Sequence, residues 1–147
     1  MKPFRFRLET LLEFRKTQKE QVQIDFLQST NQLRIEKELL AQLESDLADR
    51  AALFHSRQQQ TLSIEIFKSF RHYFDKMGEE VVTQTQRVAQ ADRHRQECLQ
   101  RLTEAEKNYK IVEKFREKKF QHYQIEAMSE EQKLLDEIGL QIYTRDK

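Results

Sequence analysis

Four histidines and a single cysteine are the side chains of this sequence best suited to bind a metal ion or to act as nucleophiles. The histidines are His55, His72, His94 and His122. No two of them are spaced four apart, as two metal ligands on one helical face would be, and Cys98 has no second cysteine beside which to bind a metal. The sequence therefore predicts no metal site, and Cys98 is better interpreted as a small buried side chain.

Carboxylates are abundant, but their pattern does not indicate acid/base catalysis. The 25 acidic residues are interleaved with 26 lysines and arginines. With only two glycines, the chain has no glycine-rich loop that could approach a phosphate. A rod of two helices would also offer no concave pocket that excludes water. We therefore predict no cofactor and no enzymatic activity.

The side chains best suited to bind another protein lie in residues 64–77. Seven large apolar groups occur within these fourteen residues: Ile64, Ile66, Phe67, Phe70, Tyr73, Phe74 and Met77. A narrow hairpin cannot bury all of them, and exposed apolar patches mark partner sites. We interpret the group partly as a partner site and partly as packing against the first helix near Phe54.

The composition favours long helices. The chain has 147 residues, of which 35% are charged and 37% hydrophobic, with one proline. A globular domain carries about 45–50% apolar residues and more Gly and Pro for its turns, so a sheet-rich fold is excluded. The ten phenylalanines argue against disorder. Pro3, Gly78 and Gly139 leave two uninterrupted stretches, 4–77 and 79–138, and such lengths indicate a coiled coil.

Heptad spacing predicts that the two stretches pair in opposite directions. The first stretch has an apolar residue at every seventh position: Phe26, Leu33, Leu40, Leu47 and Phe54. The corresponding row of the second stretch is Val81, Val88, Arg95, Leu102 and Tyr109. In an antiparallel pair, the numbers of two facing residues have a constant sum. A sum of 131 places large residues opposite small ones. The same register places Glu36 opposite Arg95.

The predicted fold is all-α: a long antiparallel two-helix coiled-coil hairpin with a short helical segment at the tip. Ser63 is a candidate N-cap for that segment, which is either a separate short helix or the first turns of helix two with a kink at Gly78. Helix two overhangs helix one from about residue 128. The predicted single domain, 1–147, divides into helix one at 4–58, the tip at 59–77, helix two at 78–140 and a frayed C-terminus at 141–147.

The net charge of +1, with both signs interspersed, predicts a solvated surface and no nucleic-acid partner. Charges interrupt the first sixteen residues, so we expect no signal peptide, and no stretch is apolar enough to span a membrane. The single cysteine favours the cytosol. Near the termini, residues 4–19 carry basic side chains and the overhang carries acidic ones. These are either two solvated faces or a charged probe that enters a partner.

Three segments resemble the FliJ family, the general chaperones of bacterial flagellar type III export. FRFRLETLLEFR, residues 4–15, is similar to the start of that family. IFKSFRHYFDKM, residues 66–77, is similar to its aromatic segment between two long helices. EQKLLDEIG, residues 131–139, is similar to its C-terminal end. Together with length and hairpin layout, the resemblance covers essentially the whole chain.

The resemblance implies a stalk-like export protein in the cytoplasm, held by its partners at the inner face of the cell membrane at the flagellar base. It implies three partners: the hexameric export ATPase, the cytoplasmic domain of the membrane export gate, and substrate-specific chaperones. The gate would contact the tip through Leu47, Phe70, Tyr73, Phe74 and Met77. The ATPase ring would contact the terminal end through Arg5, Arg7, Arg15, Lys16, Lys19, Glu131, Lys133, Asp136 and Glu137.

Three alternatives remain open at this point. The chain could be the stalk counterpart of an injectisome. It could be a structural coiled-coil adaptor with no ATPase partner, in which a second copy covers the weaker row of each helix. It could also bind a membrane surface through residues 4–14.

Overall fold

A computed structural model describes residues 2–58 and 63–146. Within these residues the chain forms two α-helices and no strand: α1, Glu9–Gln58, and α2, Ile64–Arg145. The helices pack against each other, and the prediction of an all-α two-helix hairpin is confirmed. The chain divides into two compact units. We call Gln21–Leu102 the tip unit, and Met1–Glu20 with Thr103–Lys147 the terminal unit.

An aromatic cluster holds the two helices of the tip unit together at the C-terminal end of α1. Phe54, near the end of α1, is its centre. The ring centroids of Phe67, Phe70 and Phe74 lie 6.0, 5.0 and 5.8 Å from that of Phe54. Phe70 and Phe74 also stack on each other, with centroids 6.2 Å apart. Aromatic pairs at these distances add to the stability that their burial provides.

Ser63 is the N-cap of α2, as the sequence predicted. Its Oγ accepts a hydrogen bond from the backbone N–H of Ile66 at 3.3 Å, and its carbonyl accepts one from Phe67 at 3.1 Å. Residues 64–77 are therefore the first turns of α2, the second of the two predicted alternatives, and helix two begins fourteen residues before the expected position. Residues 59–62 of the predicted tip lie outside the described part of the chain.

Gly78 lies inside α2, which continues through it without a break. A Cβ atom built at this position meets nothing within 4 Å. Glycine in a helix interior costs about 0.5–1 kcal/mol relative to alanine. We therefore expect Gly78→Ala to raise the free energy of unfolding by about that amount, measured by urea unfolding followed by circular dichroism. A loss of stability would show that the helix needs glycine here.

The helices of the tip unit pair in a register different from the predicted one. The amide of Gln84 donates hydrogen bonds to the backbone carbonyl of Glu36, at 2.9 Å, and to Glu36 Oε2. Arg95, the predicted partner of Glu36, instead has its buried Nε 3.8 Å from Asp92 Oδ1. Phe54 and Phe70 have numbers that sum to 124, one heptad below the predicted 131. Each residue of α2 in the tip unit therefore lies one heptad nearer to the start of α1 than the predicted register places it.

The core of the tip unit is thin. Leu33 and Cys98 are buried, and so are the polar side chains of Ser29 and Gln84. Ser29 satisfies its hydroxyl by donating to the carbonyl of Phe26 at 2.8 Å. The prediction that Cys98 is a buried seam residue is confirmed, since it is 1% exposed. Polar side chains in the seam limit the hydrophobic stabilisation that each helical turn can supply.

In the terminal unit, a non-helical segment precedes α1. Residues 2–8 are not helical, and α1 begins at Glu9 rather than at the predicted residue 4. The ring of Phe4 packs against Phe120 with centroids 5.2 Å apart, and that of Phe6 packs against Phe115 at 5.8 Å. In an α-helix, side chains two residues apart point in nearly opposite directions. A helical start could not bring both rings to α2, so packing overrides helix formation here.

Polar contacts fasten the same segment. Glu9 Oε2 accepts a hydrogen bond from Arg116 Nε at 3.0 Å, and the guanidinium of Arg116 also lies 5.7 Å from the centre of the Phe4 ring. The hydroxyl of Tyr123 donates to the carbonyl of Lys2 at 2.7 Å. At the other end of the unit, α2 runs to Arg145, so residues 141–145 are helical rather than frayed. Residue 147 lies outside the described chain.

Candidate partner-binding surfaces

The predicted gate residues are mostly engaged within the tip unit. All five are half-buried: Leu47, Phe70, Tyr73, Phe74 and Met77. Phe70 and Phe74 contact Phe54, and the guanidinium of Arg50 lies 5.6 Å from the centre of the Tyr73 ring. These side chains therefore contribute to packing, and only part of each remains accessible to a partner.

The most exposed apolar side chains of the tip are others in the same segment. Ile64, Ile66 and Phe67 are 73%, 41% and 47% exposed. We call these three the tip patch. Beside it an open cavity of about 460 Å³ is lined by Arg50, Glu65, Ile66, Ser69, Phe70 and Tyr73. Some aromatic side chains of this segment are thus packed and others are exposed, and the gate residues implied by the resemblance are among the packed ones.

All nine residues predicted to contact the ATPase ring lie in the terminal unit. Arg5, Arg7 and Lys16 are exposed, whereas Arg15 and Lys19 are half-buried. The Nζ of Lys19 lies 4.1 Å from the centre of the Tyr109 ring, a cation–π contact within the unit. The four residues from α2 are exposed: Glu131, Lys133, Asp136 and Glu137.

In the terminal unit, a cavity is lined by both the N-terminal segment and α2. Its volume is about 580 Å³. Aromatic rings of Phe4, Phe6 and Phe115 form its apolar part. The two elements also contribute the charged side chains of Arg5, Arg7, Lys119 and Glu126 and the imidazole of His122. The lining therefore combines apolar and aromatic side chains with three basic ones and one carboxylate.

The C-terminal turns of α2 expose an apolar surface, although the sequence pattern had indicated only charged side chains there. Every residue from 128 to 146 is exposed, and we call residues 128–145 the overhang. Six large apolar side chains there are between 44% and 66% exposed: Leu134, Leu135, Ile138, Leu140, Ile142 and Tyr143. The seven-residue spacing of Met128, Leu135 and Ile142 was the available signal, since apolar residues at every seventh position lie on one face of a helix.

The comparison with protein families decides the identity of the chain. The family described as "Flagellar FliJ protein" matches residues 4–147. The chain belongs to the FliJ family. The resemblance inferred from three sequence segments is thereby confirmed.

This FliJ-family chain also has a structural relative. It is similar to a YscO homolog, CT670, from Chlamydia trachomatis, with a TM-score of 0.65 and 17% sequence identity, over 97% of this chain and 96% of that one. At such low identity the likeness supports the helical fold. The chain resembles none of the curated protein sequences with which it was compared.

The fold raises the pKa of the Tyr109 hydroxyl in this FliJ-family chain. A hydrogen bond with Glu113 raises the pKa of the Tyr109 hydroxyl, and burial and the negative charges of Glu113 and Glu20 raise it further. The phenol is therefore neutral at physiological pH. It forms a neutral aromatic face for the ammonium of Lys19.

The residues first considered for metal chemistry are dispersed along the helices. Cys98 is buried, with its Sγ 3.8 Å from His94 Nε2. Within residues 2–58 and 63–146, no three His, Cys, Asp or Glu side chains are grouped so that they could hold a metal ion. In the same part of the FliJ-family chain, neither helix has the apolar length required to cross a membrane.

Proposed function

We propose that this FliJ-family protein is a non-enzymatic, stalk-like component of the flagellar type III export apparatus. The family match over residues 4–147 is the observation that carries the proposal. The helical construction supports it, because two long helices with a thin seam provide length and solubility rather than an enclosed reaction site. We place the protein in the cytoplasm, held by its partners at the membrane face of the flagellar base.

The proposed partner of the terminal unit is the hexameric ring of the export ATPase. The exposure of Arg5 and Arg7 supports this assignment, as does the complete exposure of the overhang. Exposed ion pairs contribute only about 0–1 kcal/mol each, so they can be exchanged as a ring changes conformation. The apolar side chains of the overhang would add the non-polar contact that weak ion pairs cannot supply.

The proposed partner of the tip unit is the cytoplasmic domain of the membrane export gate. Its supporting observation is the tip patch, where three large apolar side chains are exposed within four residues. The accessible parts of five half-buried side chains would add to this contact: Leu47, Phe70, Tyr73, Phe74 and Met77. We also propose binding of substrate-specific export chaperones, a role that follows from the family alone.

A pull-down with the export ATPase, followed by an ATPase assay, tests the proposal. We expect the wild-type chain to be captured and to accelerate ATP hydrolysis. Arg5→Glu/Arg7→Glu should raise the concentration needed for half-maximal activation by about five- to thirtyfold, because it reverses two exposed charges.

The matched control reverses two exposed arginines of the tip unit, Arg87→Glu/Arg101→Glu, and changes the net charge equally. It should activate like the wild type. Equal activation by both variants would show that Arg5 and Arg7 do not contact the ATPase ring. If the wild type is not captured and is an obligate dimer in light scattering, the protein is a structural adaptor instead.

A further inference from the structure

The outward face of α2 in the terminal unit carries a second stripe, away from the seam in which Ala105 and Val112 are buried. Its residues recur at helical spacing from 107 to 125. At 3.6 residues per turn they fall within an arc of about 100°. All seven are exposed: Lys107, Ile111, Lys114, Phe115, Lys118, His122 and Ile125. We call this stripe the outer face.

Acidic residues of the same stretch lie elsewhere on the helix. By the same spacing, Glu106, Glu113 and Glu117 fall outside the arc, toward one side of α2. The outer face therefore combines apolar and basic groups without a carboxylate between positions 105 and 125. A helix designed only to be solvated would mix both signs around its surface, as the chain does overall.

The apolar members of the outer face are strongly exposed. Ile111 and Ile125 are 58% and 65% exposed, and Phe115 is 43% exposed. The ammonium of Lys119 lies 5.4 Å from the centre of the Phe115 ring. Long lysine side chains can lie along apolar groups and extend their charges past them. The face thus presents an apolar line with positive charges at its margins.

The cavity described above adjoins this face and extends its positive charge. It shares Phe115 and His122 with the outer face and adds Arg5 and Arg7 from the N-terminal segment. Glu126 also lines the cavity, and its Oε1 lies 3.0 Å from His122 Nε2. Within residues 2–19 and 107–125 together, the sequence has twelve lysines and arginines against four carboxylates.

We propose that the outer face, with the adjoining basic cavity, binds the surface of a membrane that contains anionic phospholipid. A basic amphipathic helix lies in the plane of such a surface, with its apolar residues near the acyl boundary and its cations near the phosphates. Lysine is depleted from the contact regions between proteins, whereas it is favoured at lipid surfaces. Three lysines on a five-turn face therefore favour lipid over an acidic protein.

The proposal differs from a membrane contact through residues 4–14. Of the three aromatic residues of that segment, Phe14 is 58% exposed, whereas Phe4 and Phe6 are turned toward α2 and pack on its rings. They form the wall of the cavity rather than a membrane-facing edge. The proposal also does not depend on the proposed export function, because lipid binding requires only this chain.

Co-sedimentation with vesicles tests it directly. The probes are vesicles of phosphatidylcholine alone and of phosphatidylcholine with phosphatidylglycerol. We expect the full chain to bind the anionic vesicles at least about tenfold more tightly than the neutral ones, and to lose affinity as salt increases.

Lys114→Gln/Lys118→Gln should weaken binding to the anionic vesicles about thirtyfold, since each lysine near such a surface contributes about fivefold. The matched control, Lys37→Gln/Lys68→Gln, removes the same charge from exposed sites of the tip unit and should bind like the wild type. Ile111→Gln/Ile125→Gln should weaken binding at low and high salt alike. Circular dichroism checks that each variant remains helical.

Three outcomes would overturn the inference. The first is a wild-type chain that does not bind anionic vesicles or binds both kinds equally. The second is an equal loss in the tip-unit control, which would indicate attraction by net charge alone. The third is a Lys114/Lys118 variant that binds vesicles normally but fails to activate the export ATPase, which would assign the face to a protein. A negative ATPase test with normal vesicle binding would reject only the export proposal.

Discussion

Replacing Phe54 with alanine should lower the free energy of unfolding by about 2–4 kcal/mol. Truncation of a packed phenylalanine costs about 3–5 kcal/mol when the site is fully buried, and Phe54 is half-buried. Its ring contacts three aromatic rings on α2, so the substitution removes the centre of the cluster that joins the two helices at the C-terminal end of α1. Urea unfolding followed by circular dichroism at 222 nm, the standard helix band, measures the change.

Phe14→Ala is the matched control for this experiment. Phe14 lies on the same helix and is 58% exposed, so its truncation should cost less than about 1 kcal/mol. If both substitutions destabilise the protein equally, the cluster around Phe54 does not determine the stability of the hairpin. Since the remaining seam is thin and partly polar, we expect the difference between the two variants to be large.

The second large effect is expected at the overhang. Leu135→Ser/Ile138→Ser should raise the concentration for half-maximal activation of the export ATPase by about thirtyfold or more. Both side chains are about half exposed in the free chain, at 54% and 44%. Burial of their exposed parts against a partner would stabilise the complex by roughly 2 kcal/mol. The free energy of unfolding should change by less than about 0.5 kcal/mol, because these residues lie outside the paired region.

Leu27→Ser/Leu39→Ser provides the control, since these leucines are 66% and 50% exposed on α1. This variant should activate the ATPase like the wild type. Normal activation by Leu135→Ser/Ile138→Ser would exclude the apolar overhang from the contact. A large fall in its stability would indicate that these residues are buried in solution, for example by self-association.

Much of the secondary structure follows from local chemistry. Long helices were predictable because the chain has few helix-breaking residues and apolar residues at heptad spacing. The burial of Cys98 followed from its place in the seam, and the cap at Ser63 followed from the preference of a serine hydroxyl for the free N–H groups of a first turn. These features depend on residues within a few positions of one another.

The register of the helices was not predictable in the same way. A heptad pattern looks alike after a shift of seven residues. The pairing of large with small residues and one charge pair therefore did not distinguish a register in which partner numbers sum to 131 from one in which they sum to 124. The contacts of Phe54 with Phe70 and Phe74 determine the register. They favour an α2 that begins directly after its N-cap, Ser63, over a separate helical segment at the tip. That preference arises between distant residues, and Glu36 consequently pairs with Gln84 rather than Arg95.

The surfaces show the same division between local and tertiary effects. By itself, the sequence determined that the chain is helical, that it has the FliJ pattern, and which apolar and basic residues are available. Contacts in the folded chain were needed to establish that Phe70 packs while Phe67 is exposed, that Phe4 and Phe6 turn toward α2, and that the overhang is uncovered. The reason is that exposure depends on where the partner helix begins and ends, and contacts between distant residues set those positions.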